Sequence, residues 1–265
     1  MIDLDRELIE RSLASAGVGL GRPLTVLDVS ISTNDEAKAA ARRGAPSGAA
    51  FVADAQTGGR GRLGRSWHSP PAENLYASFL LRPSFDVRTA PLITLAAGLA
   101  VADAITPWIG PRTVGLKWPN DVLIDERKVA GILSEAQVSE RRVEWIVVGI
   151  GINARTTSFP PDIASRATSL SLCGAASVDR GSLFIAVAAA LAARVALLEA
   201  GAARRIVDDF ADRDALLGRT ITIDGTPATA LGISADGALR VRGSDGTERV
   251  HVAGDVELGT MNAVG

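Results

Sequence analysis

The stretch Gly58-Gly59-Arg60-Gly61-Arg62-Leu63-Gly64-Arg65-Ser66-Trp67 decides how the rest of the chain is read. By letter, Gly59 to Gly64 satisfies G-x-G-x-x-G, the glycine pattern of a dinucleotide loop in a doubly wound sheet. That pattern has meaning only where a strand precedes it and a helix opens behind it. Ala49-Ala50-Phe51-Val52-Ala53 reads as a buried strand. Behind the loop stand Pro70-Pro71 and then Asn74-Leu75-Tyr76-Ala77-Ser78-Phe79-Leu80-Leu81, an aromatic and apolar run that reads as a second strand. With no helix opening there, the doubly wound reading falls. A solvated turn and a disordered Gly-Arg tract of the RNA-binding kind are the other readings. The segment occurs once and lies between apolar strands, which argues against disorder. What remains is an ordered loop with its N–H groups bared by glycine. Its arginine forks match carboxylate or phosphate oxygens, and Trp67 offers a flat face for a ring.

Working outward, Asp3 to Ala16 reads as a helix with Leu4, Leu8 and Leu13 on one side, followed by a strand from Leu24 to Val29. Ser32-Thr33-Asn34 opens a second helix through Arg43, and Pro91 a third that Pro107 ends. Val114 to Trp118 and Val122 to Ile124 read as strands. Asp125-Glu126-Arg127 is a hairpin turn into a strand from Lys128 to Ala136, and Trp145 to Ile150 is a buried strand. Two helices follow, at about Leu183 to Glu199 and Ala202 to Arg213. From Leu216 the pattern changes to strands separated by Asp224-Gly225, Asp236-Gly237 and Asp245-Gly246, three hairpin signals that indicate a small barrel or sandwich. Helices and strands in no strict βαβ order predict an α+β fold with a mixed sheet over residues 1–214, and a small all-β domain over 215–265.

Composition excludes several functions. At 265 residues with 47% hydrophobic and 22% charged residues, the chain can bury one substantial core and a small second one. A formal net charge of −2 argues against nucleic acid as the main partner, because a binding domain for it shows a basic face. The single cysteine, Cys173, excludes an internal disulfide and fits a reducing, cytoplasmic setting. Met1 to Arg11 is acidic and amphipathic, unlike a signal peptide. Leu92–Ala102 and Leu183–Leu198 read as core helices, short or interrupted by Arg194, so no membrane span is expected.

Three further groups of residues carry chemistry, and each has a plainer reading. Lys117-Trp118-Pro119-Asn120-Asp121 sets a cation, an aromatic ring, an amide and a carboxylate around a proline at a strand end; it would serve equally as a turn. Strand alternation puts Lys128 on the face of Ala130 and Ile132, so its charge would enter an apolar pocket where an anion could neutralise it. A solvated lysine beside a turn explains it as well. Ser32-Thr33-Asn34-Asp35-Glu36 has the spacing of a capping box, and helix capping by itself accounts for it.

Taken together and in this order, these motifs resemble those of the biotin protein ligases. They are Ser32-Thr33-Asn34, Gln56-x-x-Gly59-Arg60-Gly61-Arg62-x-Gly64-Arg65-x-Trp67, Lys117-Trp118-Pro119-Asn120-Asp121, Lys128-x-Ala130-Gly131-Ile132-Leu133 and Gly149-x-Gly151-x-Asn153. Gly254-Asp255-Val256-Glu257-Leu258 resembles the end of the family's SH3-like C-terminal domain. Ala72-Glu73 departs from the glycines common before Asn74-Leu75-Tyr76, and Thr57-Gly58 stands where other small residues occur.

The resemblance implies a catalytic domain of the class II aminoacyl-tRNA synthetase kind and two reaction steps. Biotin and MgATP give biotinyl-AMP, and a lysine of a biotin carboxyl carrier protein domain, as in acetyl-CoA carboxylase, then displaces AMP. It implies Ser32, Thr33, Asn34, Gln56, Arg60, Gly61, Arg62, Lys128 and Gly131 around biotin, and Arg65, Trp67, Lys117, Asn120 and Asn153 around ATP. Arg60, Arg62 and Lys128 would meet the developing charge and Asp121 would orient the acceptor lysine, with magnesium held mainly by the ATP phosphates. The glycines of 58–64 suit a loop that orders over the adenylate. Regulatory members carry an N-terminal DNA-binding domain ahead of the Ser-Thr-Asn motif. About thirty residues precede Ser32 here, so a ligase without a repressor role is expected. The resemblance leaves a homodimer open. The rival enzyme is a lipoate or octanoate transferase, which lacks the Gly-Arg-Gly-Arg pattern, and the rival binding module is an RNA-binding protein.

Overall fold

A computed structural model describes residues 3–140 and 142–258; residues 259–265 of the expected C-terminal domain lie outside the described residues. Its larger sheet has seven strands in the order β1-β2-β3-β7-β6-β5-β4. They are β1 (Leu24–Ser30), β2 (Ala50–Gln56), β3 (Leu75–Leu81), β4 (Val114–Lys117), β5 (Asp121–Ile124), β6 (Arg127–Ser139) and β7 (Arg142–Ile152). β1 and β2 are parallel and every other pair is antiparallel, so the fold is α+β with a mixed sheet.

The sheet's two faces bury different partners. Ala50, Val52, Phe79, Ile146 and Val148 point toward α3 (Leu92–Ile105) and α4 (Arg180–Glu199), where α1 (Arg6–Ser15) and α5 (Ala203–Ala211) also pack. Phe51, Leu80, Trp145 and Val147 face α2 (Thr33–Arg42), whose Ala37, Ala40 and Ala41 let it lie close. α2 covers only part of that face. Beyond its N-terminus the sheet is floored by glycine, and the cavity described below opens there.

α4 is the core helix expected, a few residues longer than the Leu183 to Glu199 read from sequence. Its 20 residues are long and apolar enough to cross a membrane by length and composition. It packs instead against α3, and its charged residues are partnered: Arg180 bridges Asp3 at 2.9 Å and Asp54 at 2.7 Å, and Arg194 bridges Asp103 at 2.9 Å.

A second sheet holds β8 (Thr220–Ile223), β9 (Thr226–Ile233), β10 (Leu239–Gly243), β11 (Glu248–His251) and β12 (Val256–Leu258), all antiparallel, in the order β11-β10-β9-β8-β12. The three Asp-Gly pairs form its hairpin turns, with positive φ at Asp224, Gly225, Gly237 and Gly246. It is tied to the larger sheet by backbone and side chain. Leu116 N–H donates to the Arg213 carbonyl and Ala215 N–H to that of Leu116, extending the β4 edge into the connection. Trp118, buried, donates its Nε1–H to the Gly237 carbonyl at 2.9 Å. A Cβ at Gly237 would stand 2.7 Å from Leu92, so the turn meets α3 without room for a side chain.

Ala72 has φ +61°, a left-handed conformation that strains any residue with a Cβ. Relief of that strain exceeds the entropy a glycine adds to the unfolded chain by a few tenths to about 1 kcal/mol. Ala72→Gly is therefore expected to raise the melting temperature by roughly 1–3 °C in calorimetry. A lowered melting temperature would show that the methyl packs favourably.

Candidate active site

The cavity, of about 590 Å³, lies between the uncovered face of the larger sheet, the 58–67 loop and the last strand of the smaller sheet. Every site residue nominated from sequence lines it: Ser32, Thr33, Asn34 and Gln56 at one end, Arg60, Gly61, Arg62, Arg65 and Trp67 from the loop, and Lys117, Asn120, Asp121, Lys128, Gly131 and Asn153 from the strands and their ends.

The Ser-Thr-Asn segment does not act as a capping box. Ser32 is the N-cap of α2, but its side chain makes no capping bond, and the Glu36 side chain accepts from Ser30 Oγ at 3.1 Å. The polar side chains turn inward. Gln56 Oε1 accepts from Thr33 N–H at 2.9 Å, and Gln56 Nε2 donates to Ser69 Oγ at 3.1 Å. Ser78 Oγ donates to Asn34 Oδ1 at 2.6 Å and lies 2.8 Å from Thr33 Oγ1. Asn34 Nδ2 donates to the Leu133 carbonyl at 3.1 Å and to Glu135 at 2.8 Å. Thr33, Asn34, Ser69 and Ser78 are buried and Gln56 is half-buried, so the bonds fix their rotamers and amide orientation. Such a wall presents pre-positioned hydroxyl and amide groups of fixed orientation to whatever enters the cavity.

Three glycines make the floor. Gly131 and Gly151 are paired across β6 and β7, and the Trp67 indole lies on both: a Cβ would stand 2.9 Å from the ring at Gly131 and 2.5 Å at Gly151. At Gly149 a Cβ would stand 2.1 Å from Asn34 Oδ1. Trp67 Nε1 is buried and has no hydrogen-bond partner among the described residues. An orphaned donor over a glycine floor fits a ligand that brings an acceptor there.

Lys128 enters the cavity by a different route from the one its spacing suggests. A bulge in β6 sets Leu123 opposite Lys128 and Val122 opposite Ala130, so one extra residue intervenes. This reverses the alternation. Ala130 and Ile132 face the core, whereas Lys128 Nζ stands over Gly131, 5.3 Å from the Trp67 ring centroid. Asp121 Oδ1 holds it at 2.5 Å, with Lys117 Nζ 3.6 Å from Asp121 Oδ2.

The loop is folded on itself: Gly61 N–H donates to the Arg65 carbonyl at 2.7 Å and Trp67 N–H to that of Gly59 at 2.9 Å. Leu63 takes φ +56° at its exposed tip. Its three arginines have different partners. Arg60 donates to Asp35 at 2.5 Å, which holds the Asp35 carboxyl below its usual range. Arg62 donates to the Gly254 carbonyl at 3.3 Å, and burial lowers its pKa while Asp121 and Asp255 oppose that. Arg65 pairs with Asp255 of the smaller sheet.

Asn120 and Asn153 spend their amide N–H groups on structure, donating at 2.9 Å to the Ile132 carbonyl and at 3.0 Å to the Thr168 carbonyl. Among the described residues no cluster of three His, Cys, Asp or Glu side chains could hold a metal by itself.

Sequence reading missed several residues that line or support the cavity. Ser78, which supports Thr33 and Asn34, was legible as the lone hydroxyl in an apolar strand, and Gly149 and Gly151 from their motif. Gly254–Leu258 reads as the end of the smaller domain and not as a cavity wall, while Phe159 and Arg166 in the lining and Glu135 behind it carried no local signal.

A glycine-floored cavity with a hydroxyl-amide wall at one end and a cationic loop at the other, on this two-sheet fold, has the makings of a site for a ligand with a compact polar head and an anionic end. Residues 27–153 match the biotin/lipoate A/B protein ligase family, and residues 216–259 the biotin protein ligase C-terminal domain. The chain is 35% identical over 254 residues to the bifunctional ligase/repressor BirA of Bacillus spizizenii, covering 91% of this chain and 75% of that protein. It is 35% identical over 234 residues to the biotin--[acetyl-CoA-carboxylase] ligase of Mycobacterium tuberculosis, covering 84% and 85%. The biotin protein ligase of Aquifex aeolicus, solved with biotin and ATP, superposes with a TM-score of 0.76 at 29% identity over 90% of this chain and 99% of that one. The chain belongs to the biotin protein ligases, and it is an enzyme of that family.

Proposed function

We propose that this chain activates biotin with ATP and delivers it to a lysine of a biotin carboxyl carrier protein domain. The observation that carries the reading is one cavity with two chemically distinct ends. In the first step the biotin carboxylate attacks the α-phosphorus of ATP, a P–O bond to pyrophosphate breaks, and biotinyl-AMP forms. Two anions must approach each other, so positioning and cationic groups matter more than an enzyme nucleophile. Ser32, Thr33 and Gln56 would receive the ureido head, a group that both donates and accepts hydrogen bonds, with Asn34 fixed beside them. Arg62 and Lys128 face the region where negative charge gathers, and Trp67, Arg65, Lys117, Asn120 and Asn153 form the nucleotide side. Magnesium would arrive with the ATP phosphates and neutralise part of their charge.

In the second step the carrier lysine's neutral amine attacks the mixed anhydride, an amide forms and AMP leaves. The attacking nitrogen gives up its surplus proton to solvent as the amide forms, and Asp121, at the cavity's edge between Lys117 and Lys128, would orient the acceptor amine by accepting a hydrogen bond from it. A mixed anhydride is readily hydrolysed, so the loop is proposed to close over it. Limited proteolysis between Gly58 and Gly64 should slow severalfold with biotin and MgATP; equal cleavage with and without them counts against closure.

Ligase action without a repressor role is part of the proposal, supported by the balanced charge of −2. A cytoplasmic location is supported by the lone, buried Cys173. The test is mass spectrometry of the purified protein with MgATP and equal biotin, lipoate and octanoate. Biotinyl-AMP alone is expected, followed by transfer to a carrier domain. Lipoyl- or octanoyl-AMP would transfer the chain to the sister activity, and no adenylate would overturn the reading.

A further inference from the structure

Lys38 has no place in the reaction described, yet it stands behind the cavity wall, on two carboxylates that each hold a lining residue. It sits on α2 one turn after Asn34, and its side chain is only 17% exposed. Its ammonium stands 2.6 Å from Glu135 Oε1 and 3.1 Å from Asp35 Oδ1. Each of those carboxylates holds a cavity residue. Glu135 accepts from Asn34 Nδ2 at 2.8 Å with its other oxygen. Asp35 accepts from Arg60 at 2.5 Å with the same oxygen that faces Lys38. The chain of contacts therefore runs from Arg60 through Asp35, Lys38 and Glu135 to Asn34, and onward through Ser78 to Thr33.

The charges explain why a lysine is needed. Arg60 can receive a ligand anion only if Asp35 does not hold its full charge. Lys38 and Arg60 share one Asp35 oxygen, so Lys38 takes part of the field that Asp35 would otherwise spend on Arg60. Without Lys38, Asp35 would grip Arg60 alone. Glu135 would also be left as a half-buried carboxylate without a counter-ion and would shift toward solvent, releasing the Asn34 amide.

We propose that Lys38 is a positioning residue for the acid substrate: through Asp35 it keeps Arg60 available, and through Glu135 it fixes Asn34. The proposal rests on the functional reading above for the identity of that substrate. Its reach is limited to the acid end, since no contact in the chain touches Lys117, Asn120 or Asn153.

The test is steady-state adenylate formation by Lys38→Met, Lys38→Arg, Asp35→Asn and the Lys38→Met/Asp35→Asn double variant. It is run with whichever acid the unaltered chain activates, so a wrong substrate assignment does not disguise the result. Lys38→Met is expected to raise KM for the acid by about tenfold or more with KM for ATP within twofold, and Lys38→Arg to recover most of the loss. In the Asp35→Asn background, adding Lys38→Met should still raise KM for the acid, but severalfold less than in the unaltered chain, because the arm through Asp35 to Arg60 is already neutral and only the arm through Glu135 to Asn34 remains. An equal loss in both backgrounds, or a fall in kcat with both KM values unchanged, would make Lys38 a purely structural residue and overturn the proposal. If Lys38→Met does not fold, Glu135→Gln carries the test: it should raise KM for the acid and leave KM for ATP alone, and an unchanged KM for the acid overturns the proposal.

Discussion

Lys128→Met is expected to slow adenylate formation by about 10²–10³-fold while leaving the protein folded, because it removes a fixed cation from where two anions react. The geometry makes this loss hard to compensate. Lys128 reaches the cavity by a bulge that turns one residue of β6 out of alternation, and no neighbouring side chain of that strand can take its place. Lys117, the other lysine on Asp121, stands 3.6 Å from that carboxylate and comes from a different strand. Lys128→Arg should not restore the rate. Lys128 Nζ lies 3.2 Å from where a Gly131 Cβ would be and beside the Trp67 ring, a space for a compact ammonium rather than a planar guanidinium. Single-turnover appearance of acyl-AMP, with circular dichroism to establish folding, is the measurement. A loss under tenfold would mean that Lys128 serves only to neutralise Asp121.

Gly149→Ala is expected to be the most damaging single methyl in the larger sheet. The new carbon would stand 2.1 Å from Asn34 Oδ1 and 2.8 Å from its Cγ, far inside contact. The asparagine cannot give way cheaply, since Ser78, Leu133 and Glu135 hold it from three directions. Overpacking costs about 1–3 kcal/mol and each buried polar group deprived of its partner about as much again, so a loss of roughly 3–5 kcal/mol is expected. Binding of the acid substrate should fall with it. Chemical denaturation measures the first, and titration with biotin the second. Adding Asn34→Ala should return much of the stability by making room for the methyl, without returning the binding; if it returns neither, the clash lies elsewhere.

Much of the fold was legible because its signals are local. Pro70-Pro71 and the apolar run behind the glycine loop excluded a helix there, and the three Asp-Gly pairs marked the hairpins of the smaller sheet. The site was legible as residue types in order, since hydroxyls, amides, glycines and arginines at those spacings have few uses together. What local pattern misjudged was direction. Ser32-Thr33-Asn34 has the letters of a capping box, yet the Thr33 and Asn34 side chains bond to Gln56, Ser78 and Glu135, residues that a helix-capping rule does not consult.

Local pattern alone set the class of fold, the order of its elements and the part of the cavity's inventory that lies in motifs, because strand and turn propensities and glycine patterns act over a few residues. The tertiary structure alone decided which face each inventory residue takes and what partners its charge. A β6 bulge, set by pairing with β5, sends Lys128 to the cavity rather than the core. Arg65 meets Asp255 and Trp118 meets Gly237 across more than a hundred residues of chain, contacts that exist only once the two sheets have packed. Electrostatic and packing energies depend on distance in space, and separation along the chain does not report that distance.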